Sequence, residues 1–215
     1  MRRMVYRQLP NSLTVCRLVL AGVFFVVLNQ YRYGLAGNPQ HVVLWAAVGV
    51  FVAAAVTDWL DGYLARKWKV ESKFGRIMDP FCDKVLVIGA FVYLAGPRFA
   101  IAPAAGEGAV VTTVTGVYPW MAAVILAREL LVTSIRGEME SEGVKFGANL
   151  FGKLKMILQS ITVPTVLFIV ILDPLKRELT VWFREGFVYA TVVVTILSGV
   201  PYVTAAWRAM KGKAG

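Results

Sequence analysis

Cysteine, histidine and acid are all scarce in this chain, and each shortage closes off a class of chemistry. The two cysteines, Cys16 and Cys82, lie in different apolar stretches without a Cys-x-x-Cys spacing, so neither a disulfide framework nor a thiolate zinc site is supported. The one histidine, His41, stands near an expected helix start and reads as an interfacial residue, not as part of a ligand set. Acidic residues number 13 against 23 lysines and arginines, a formal net charge of +10. On a soluble module that excess would point to nucleic acid. Here the basic residues are scattered between apolar runs, so they read as topology signals and as contacts for anionic headgroups and phosphorylated substrates, with no nucleic-acid partner. Repeats and low-complexity tracts are absent as well.

What the chain has in abundance is apolar residue. Of 215 residues 58% are hydrophobic, with a mean hydropathy of +0.64, against the roughly 45–50% of an ordinary soluble domain. Several runs approach the ~20 residues that cross a bilayer as a helix. They are continuous and long, unlike the ten-residue alternating segments of a membrane barrel. The expectation is an all-α polytopic membrane bundle forming a single domain over residues 1–215. Six transmembrane helices can be drawn: Leu13–Asn29, His41–Leu64, Asp79–Leu94, Tyr118–Ile135, Gly152–Leu172 and Phe187–Trp207. The basic N-terminus before the first run resembles a signal peptide. The run from Leu13 to Leu28 is long for a cleaved segment, however, and Arg17 interrupts it, so an uncleaved first span is expected. The preceding MRRMVYRQ, ahead of Pro10, allows a short interfacial helix or a solvated basic tail. Ala95 to Val117, rich in Gly, Pro, Ala and Thr, reads as a solvent-side loop. Six spans with both termini inside put 18 of the 23 basic residues on the inner face and leave Arg32, Arg98, Lys176, Arg177 and Arg184 outside, which favours cytoplasmic termini.

The chemistry concentrates at the end of the second span. Asp58 and Asp61 are three residues apart and share a helix face. Gly62 and Ala65 follow with almost no side-chain bulk, so a large group can approach the backbone there. Arg66 adds a guanidinium fork suited to phosphate. Beyond a short connection come Gly75, Asp79 and Asp83, the two acids four apart on the next helix. Asp79-Pro80 is a favourable helix start. Short connections make neighbouring helices antiparallel, so four carboxylates should face one another across a narrow gap. Such a cluster near a membrane needs positive charge. Carboxylate oxygen suits hard divalent cations, and two of them beside Arg66 and a floor of small residues form a pyrophosphate site. A divalent-cation transporter is the reading from another class. The acids lie at helix ends without an internal repeat, whereas transporters usually place their sites at the midplane.

The series Asp58-x2-Asp61-Gly62-x2-Ala65-Arg66-x8-Gly75-x3-Asp79-x3-Asp83 resembles, at every position, the signature of the CDP-alcohol phosphatidyltransferase family. The resemblance implies that Asp58, Asp61, Asp79 and Asp83 bind two divalent cations, Mg²⁺ or Mn²⁺. It further implies that Asp83 is also the catalytic base. Gly62, Ala65, Arg66 and Gly75, with the first three aspartates, would receive the CDP moiety of CDP-diacylglycerol. A homodimer in the bacterial inner membrane, with its active site on the cytoplasmic side among membrane lipids, is the corresponding expectation. The signature does not select the acceptor alcohol.

Other segments bear on the acceptor. Arg128, Arg136, Lys153 and Lys155 are expected at the same face as the aspartates. Arg128 and Arg136, eight residues apart, lie on similar sides of one helix about 12 Å apart. They are candidates for a phosphate carried by the acceptor. Ala127-Arg128-Glu129, Gly152-Lys153-x-Lys155 and the N-terminal Pro10, Asn11, Leu13, Thr14 and Arg17 resemble the branch of the family that uses glycerol 3-phosphate. Met156, where threonine is usual, and Gly137, where an acid is common, depart from that branch. Inositol phosphate and phosphatidylglycerol are the alternative acceptors. Asn11, Thr14 and Arg17 are expected to close the site from the first span.

Overall fold

The computed structural model describes residues 2–34, 39–68, 73–101, 112–141, 150–172 and 178–213. At Asn11, Asp61, Ala65, Arg66, Gly75 and Asp79 it describes only the backbone. Seven α-helices occur among the described residues: α1 (Arg2–Gln30), α2 (Pro39–Trp68), α3 (Lys73–Leu94), α4 (Pro119–Ser141), α5 (Leu150–Leu172), α6 (Glu178–Leu197) and α7 (Val200–Lys213). Three helical stretches, Gln40–Leu60, Leu150–Leu172 and Glu178–Lys211, are long and apolar enough to cross a membrane, and Thr14–Gln30 is a shorter apolar one. Valine, leucine and aromatic side chains such as Trp45, Val52, Val56, Phe168 and Tyr189 face outward, as expected of a surface that meets lipid.

Helices α1, α2 and α3 pack together at one side, α4, α5, α6 and α7 at the other, and α2 and α3 both touch α5. In lipid, apolar side chains gain little by leaving their solvent, so helices associate through close contact. Small residues make that contact possible: Ala21, Ala47, Ala54 and Ala90 are buried at the helix junctions. Gly89 on α3 lies so near the Phe25 ring of α1 that a Cβ there would overlap it. Phe24, Phe51 and Phe91 fill the centre, the first two with centroids 5.4 Å apart.

Four expectations are corrected. First, α1 is continuous from Arg2 to Gln30, so no separate N-terminal helix precedes Pro10. Second, α3 begins at Lys73. Asp79-Pro80 therefore lies inside the helix and does not start it. Asp79 keeps its place one turn before Asp83, since that relation depends only on helical period. Third, the segment after α3 is not merely a solvent-side loop. A 3₁₀ turn at Pro97–Phe99 and a single antiparallel bridge from Ala100 to Thr113 fold it back. Phe99, Val114 and Val117 are fully buried. Thr115 Oγ1 donates to the Leu94 carbonyl at 2.7 Å, and Arg184 Nη1 donates to the Val114 carbonyl at 2.6 Å. Gly116, at φ +68, supplies the left-handed turn that brings this strap under Arg184.

Fourth, the span expected at Phe187–Trp207 starts earlier and breaks. Helix α6 begins at Glu178, because Arg184 is satisfied by the strap and need not end it. The chain turns at Ser198 and Gly199 before α7. Pro201 has no N–H to continue the ladder, and Tyr202 N–H bonds the Gly199 carbonyl at 3.0 Å. The Ser198 carbonyl is thereby left for a side-chain donor. Between α5 and α6, Gln159 donates to Thr195 at 3.0 Å and the Thr162 and Thr191 hydroxyls pair at 2.7 Å, so these polar groups are satisfied within the bundle.

Candidate active site

Two charged clusters lie within the bundle, each built around a buried residue, Arg17 or Glu129. The first gathers around Arg17 of α1. Its side chain is 1% exposed, and its Nη1 stands 2.7 Å from Asp58 Oδ1 on α2 and 2.9 Å from Asp83 Oδ1 on α3. The two carboxylates are about two-fifths exposed, 42% and 37%, so one side of each opens toward solvent. Thr14, one turn before Arg17, is also buried, and its carbonyl faces Cys82 Sγ at 4.0 Å. The helical period thus turns Thr14 and Arg17 inward together and places them behind the acids.

Asp58 and Asp83, 25 residues apart in sequence, converge on one cationic atom. That convergence suits a metal ion. Hard oxygen donors on two helices already share a single positive centre, as a divalent cation requires. The backbone places Asp61 and Asp79 within one helical turn of these acids, on α2 and α3. The side chains of Asn11, Asp61, Ala65, Arg66, Gly75 and Asp79 lie outside the described set. Among the described residues no trio of candidate metal-ligand side chains is assembled. Gly62 lies one turn beyond Asp58, half-buried.

The second cluster gathers around Glu129 of α4, which is 6% exposed. Its Oε1 accepts from Lys155 Nζ of α5 and, at 3.0 Å, from Arg128 Nη1. Arg128 Nη2 donates to the Ser198 carbonyl at 2.9 Å, the group released by the α6–α7 break. Gly199 leaves room there: a Cβ would sit a tight 3.2 Å from the Ile196 carbonyl and in ordinary contact, 3.5 Å, with Arg128 Cγ. A buried carboxylate thus ties α4 to α5, and its neighbour ties both to the break.

The basic residues expected to act together are separated by the structure. Arg128 and Lys155 meet at Glu129. Arg136 lies on exposed surface, with Nε 3.0 Å from Glu140. Lys153 is exposed, two residues from Lys155 and therefore on another face of α5. Lys84 and Thr133 are participants that the motif reading did not single out, and Glu129 entered it only within Ala127-Arg128-Glu129, with no role of its own. Lys84, next to Asp83, bonds the Thr133 hydroxyl, which in turn donates to the Glu129 carbonyl at 2.7 Å. This relay joins the two clusters across α3 and α4. An acid inside an apolar stretch was the signal available for Glu129, because such a group is retained only with partners.

Paired acids on adjacent helices, basic groups behind them and apolar helices around them define a membrane-associated enzyme acting on phosphorylated groups. The chain belongs to the CDP-alcohol phosphatidyltransferase family, which it matches over residues 7–197. Within it, the chain is similar to the CDP-diacylglycerol–glycerol-3-phosphate 3-phosphatidyltransferase of Bacillus subtilis (strain 168), 32% identical over 208 residues, covering 94% of this chain and 97% of that one. A probable phosphatidylglycerophosphate synthase of Mycobacterium tuberculosis (strain ATCC 25618 / H37Rv) is 33% identical over 205 residues, 95% of this chain and 84% of its own. A plant relative from Arabidopsis thaliana, named CDP-diacylglycerol–glycerol-3-phosphate 3-phosphatidyltransferase 2, is 31% identical over 213 residues, covering 95% and 82% respectively.

Proposed function

We propose that this protein transfers the phosphatidyl group of CDP-diacylglycerol to glycerol 3-phosphate, giving phosphatidylglycerophosphate and CMP. The observation that carries the reading is the meeting of Asp58 and Asp83, the first and last acids of the family series, at one point between α2 and α3. The names of the similar proteins support the choice of substrates.

The attacking hydroxyl oxygen of glycerol 3-phosphate forms a bond to the phosphorus that carries the lipid. The bond from that phosphorus to the bridging pyrophosphate oxygen breaks, and CMP leaves with the electron pair. Asp83 takes the hydroxyl proton. Asp58, Asp61, Asp79 and Asp83 would hold two divalent cations, Mg²⁺ or Mn²⁺. When bound, these supply the positive charge that stabilises the pyrophosphate and the leaving CMP. Gly62, Ala65, Arg66 and Gly75 receive the CDP moiety, with the small residues admitting it and the Arg66 guanidinium holding phosphate. Asn11, Thr14 and Arg17 back the site from α1, while Arg128 and Lys155 attract the acceptor's phosphate, with Arg136 and Lys153 left at the exposed surface outside that contact. The acyl chains remain in the bilayer among outward apolar side chains. The assembly we envisage is one membrane domain over residues 1–215, with six spans, cytoplasmic termini and cytoplasmic active site, paired as a homodimer in a bacterial inner membrane.

The deciding experiment incubates purified protein with labelled CDP-diacylglycerol and each candidate alcohol in the presence of Mg²⁺ or Mn²⁺. Phosphatidylglycerophosphate and stoichiometric CMP are expected with glycerol 3-phosphate. Preferential turnover of inositol phosphate or phosphatidylglycerol would refute the acceptor.

A further inference from the structure

Among the described side chains the second cluster has an unbalanced charge. Arg128 and Lys155 bring two cations to the one carboxylate of Glu129, and all three are at least nine-tenths buried. Lys84 stands outside this trio and reaches the Glu129 main-chain carbonyl through the Thr133 hydroxyl. Buried charge left without a counter-charge is costly, so the cluster has the composition of a half-filled site awaiting an anion. A second observation agrees with this. Arg128 Nε is buried without a hydrogen-bond partner among the described residues, although a guanidinium normally commits its donors. The carboxylate also decides where the two cations stand. They belong to different helices, and without Glu129 they would repel one another and drift apart.

We propose that Glu129 is the positioning residue of the acceptor side of the reaction. It draws Lys155 of α5 onto Arg128 of α4 so that the two cations together hold a single phosphomonoester, the phosphate of the acceptor alcohol. The idea rests on the substrate reading given above. Glu129 itself, being an acid, repels the phosphate and touches no reacting atom. Its work is to hold two mutually repelling cations at one spot. Lys84 and Thr133 then link that spot to Asp83, so the phosphate anchor and the base are set relative to each other.

The test uses full-length protein in detergent or lipid nanodiscs and separates the two ideas. Wild-type turnover with glycerol 3-phosphate checks the substrate reading by itself; its absence overturns that reading whatever the variants do. E129Q is then compared with wild type, using whichever phosphorylated acceptor wild type turns over. We expect the KM for that acceptor to rise at least tenfold, while the KM for CDP-diacylglycerol stays within twofold. E129D, which keeps the charge on a shorter arm, should fall between. Equal rises for both substrates, or a fall in kcat with both KM values unchanged, would overturn the positioning role. Wild-type preference for an acceptor without phosphate would overturn it too. If E129Q does not fold, E129D carries the test by itself. A raised acceptor KM with an unchanged CDP-diacylglycerol KM supports the proposal, and wild-type values for both defeat it.

Discussion

The Arg17 and Glu129 clusters are mirror images in charge. Around Arg17 a single cation is shared by two carboxylates, Asp58 and Asp83. Around Glu129 a single carboxylate is shared by two cations, Arg128 and Lys155. Among the described side chains the first is short of positive charge. The second, counted in the same way, is short of negative charge. They also differ in exposure, since the acids of the first are two-fifths open while the cations of the second are almost enclosed. The lesson is that the sign of the surplus identifies the missing guest. An open acidic site calls for cations with a pyrophosphate above them, and an enclosed basic site calls for one small anion.

Variants can break this symmetry in order of expected effect. Asp83→Asn keeps the shape of the first cluster and removes its proton acceptor, so turnover should fall by roughly 10²–10⁴-fold. CDP-diacylglycerol binding should persist, as measured by equilibrium binding of labelled lipid. Normal CMP release by this variant would exclude Asp83 as the base. Arg128→Ala strikes the second cluster. Losing charge-assisted hydrogen bonds worth about 1.5–3 kcal/mol should raise the glycerol 3-phosphate requirement by about 10–100-fold, far more than the CDP-lipid requirement. Matched changes for both substrates would count against an acceptor role.

Arg17→Met removes the cation between the two acids. With chelator present, thermal unfolding should show a loss of about 1–2 kcal/mol, held below the value for a fully buried pair because the acids are partly solvated. Added Mg²⁺ should restore most of it by supplying the missing charge. The same loss with and without Mg²⁺ would show that Arg17 packs and does not neutralise. Arg136→Ala is the smallest change: its exposed pair with Glu140 should be worth no more than about 0.5 kcal/mol, and acceptor KM should move less than twofold. A tenfold rise would bring Arg136 back into the acceptor site and blur the contrast between the clusters.

Much of the architecture was readable along the chain because it rests on local period and hydropathy. The apolar runs became helices, and the i,i+3 and i,i+4 spacings kept each pair of acids on one helix surface. Boundaries suffered where a tertiary partner overrode a local cue. The last span, drawn from Phe187, leaves Arg184 outside it, yet α6 begins at Glu178 and Arg184 donates to the strap carbonyl of Val114. Asp79-Pro80 looked like a helix start, yet α3 continues upstream to Lys73. The break at Ser198 and Gly199 carried its signal in Pro201, three residues after Ser198 in an otherwise apolar stretch. At the site, the basic residues were visible as a group, but nothing local separates Lys155, which turns inward to Glu129, from Lys153, which faces out.

The sequence by itself determined a helical chain rich in membrane-length apolar runs and the acidic series that marks its family, because spacing on a helix follows from a fixed period. Only the tertiary structure decided that Arg17 lies between Asp58 and Asp83, and that Glu129 gathers Arg128 and Lys155. Those pairings join residues on different helices, or set a neighbour's orientation through them. Coulomb attraction between distant segments has no imprint in local pattern until packing brings the segments within a few ångströms.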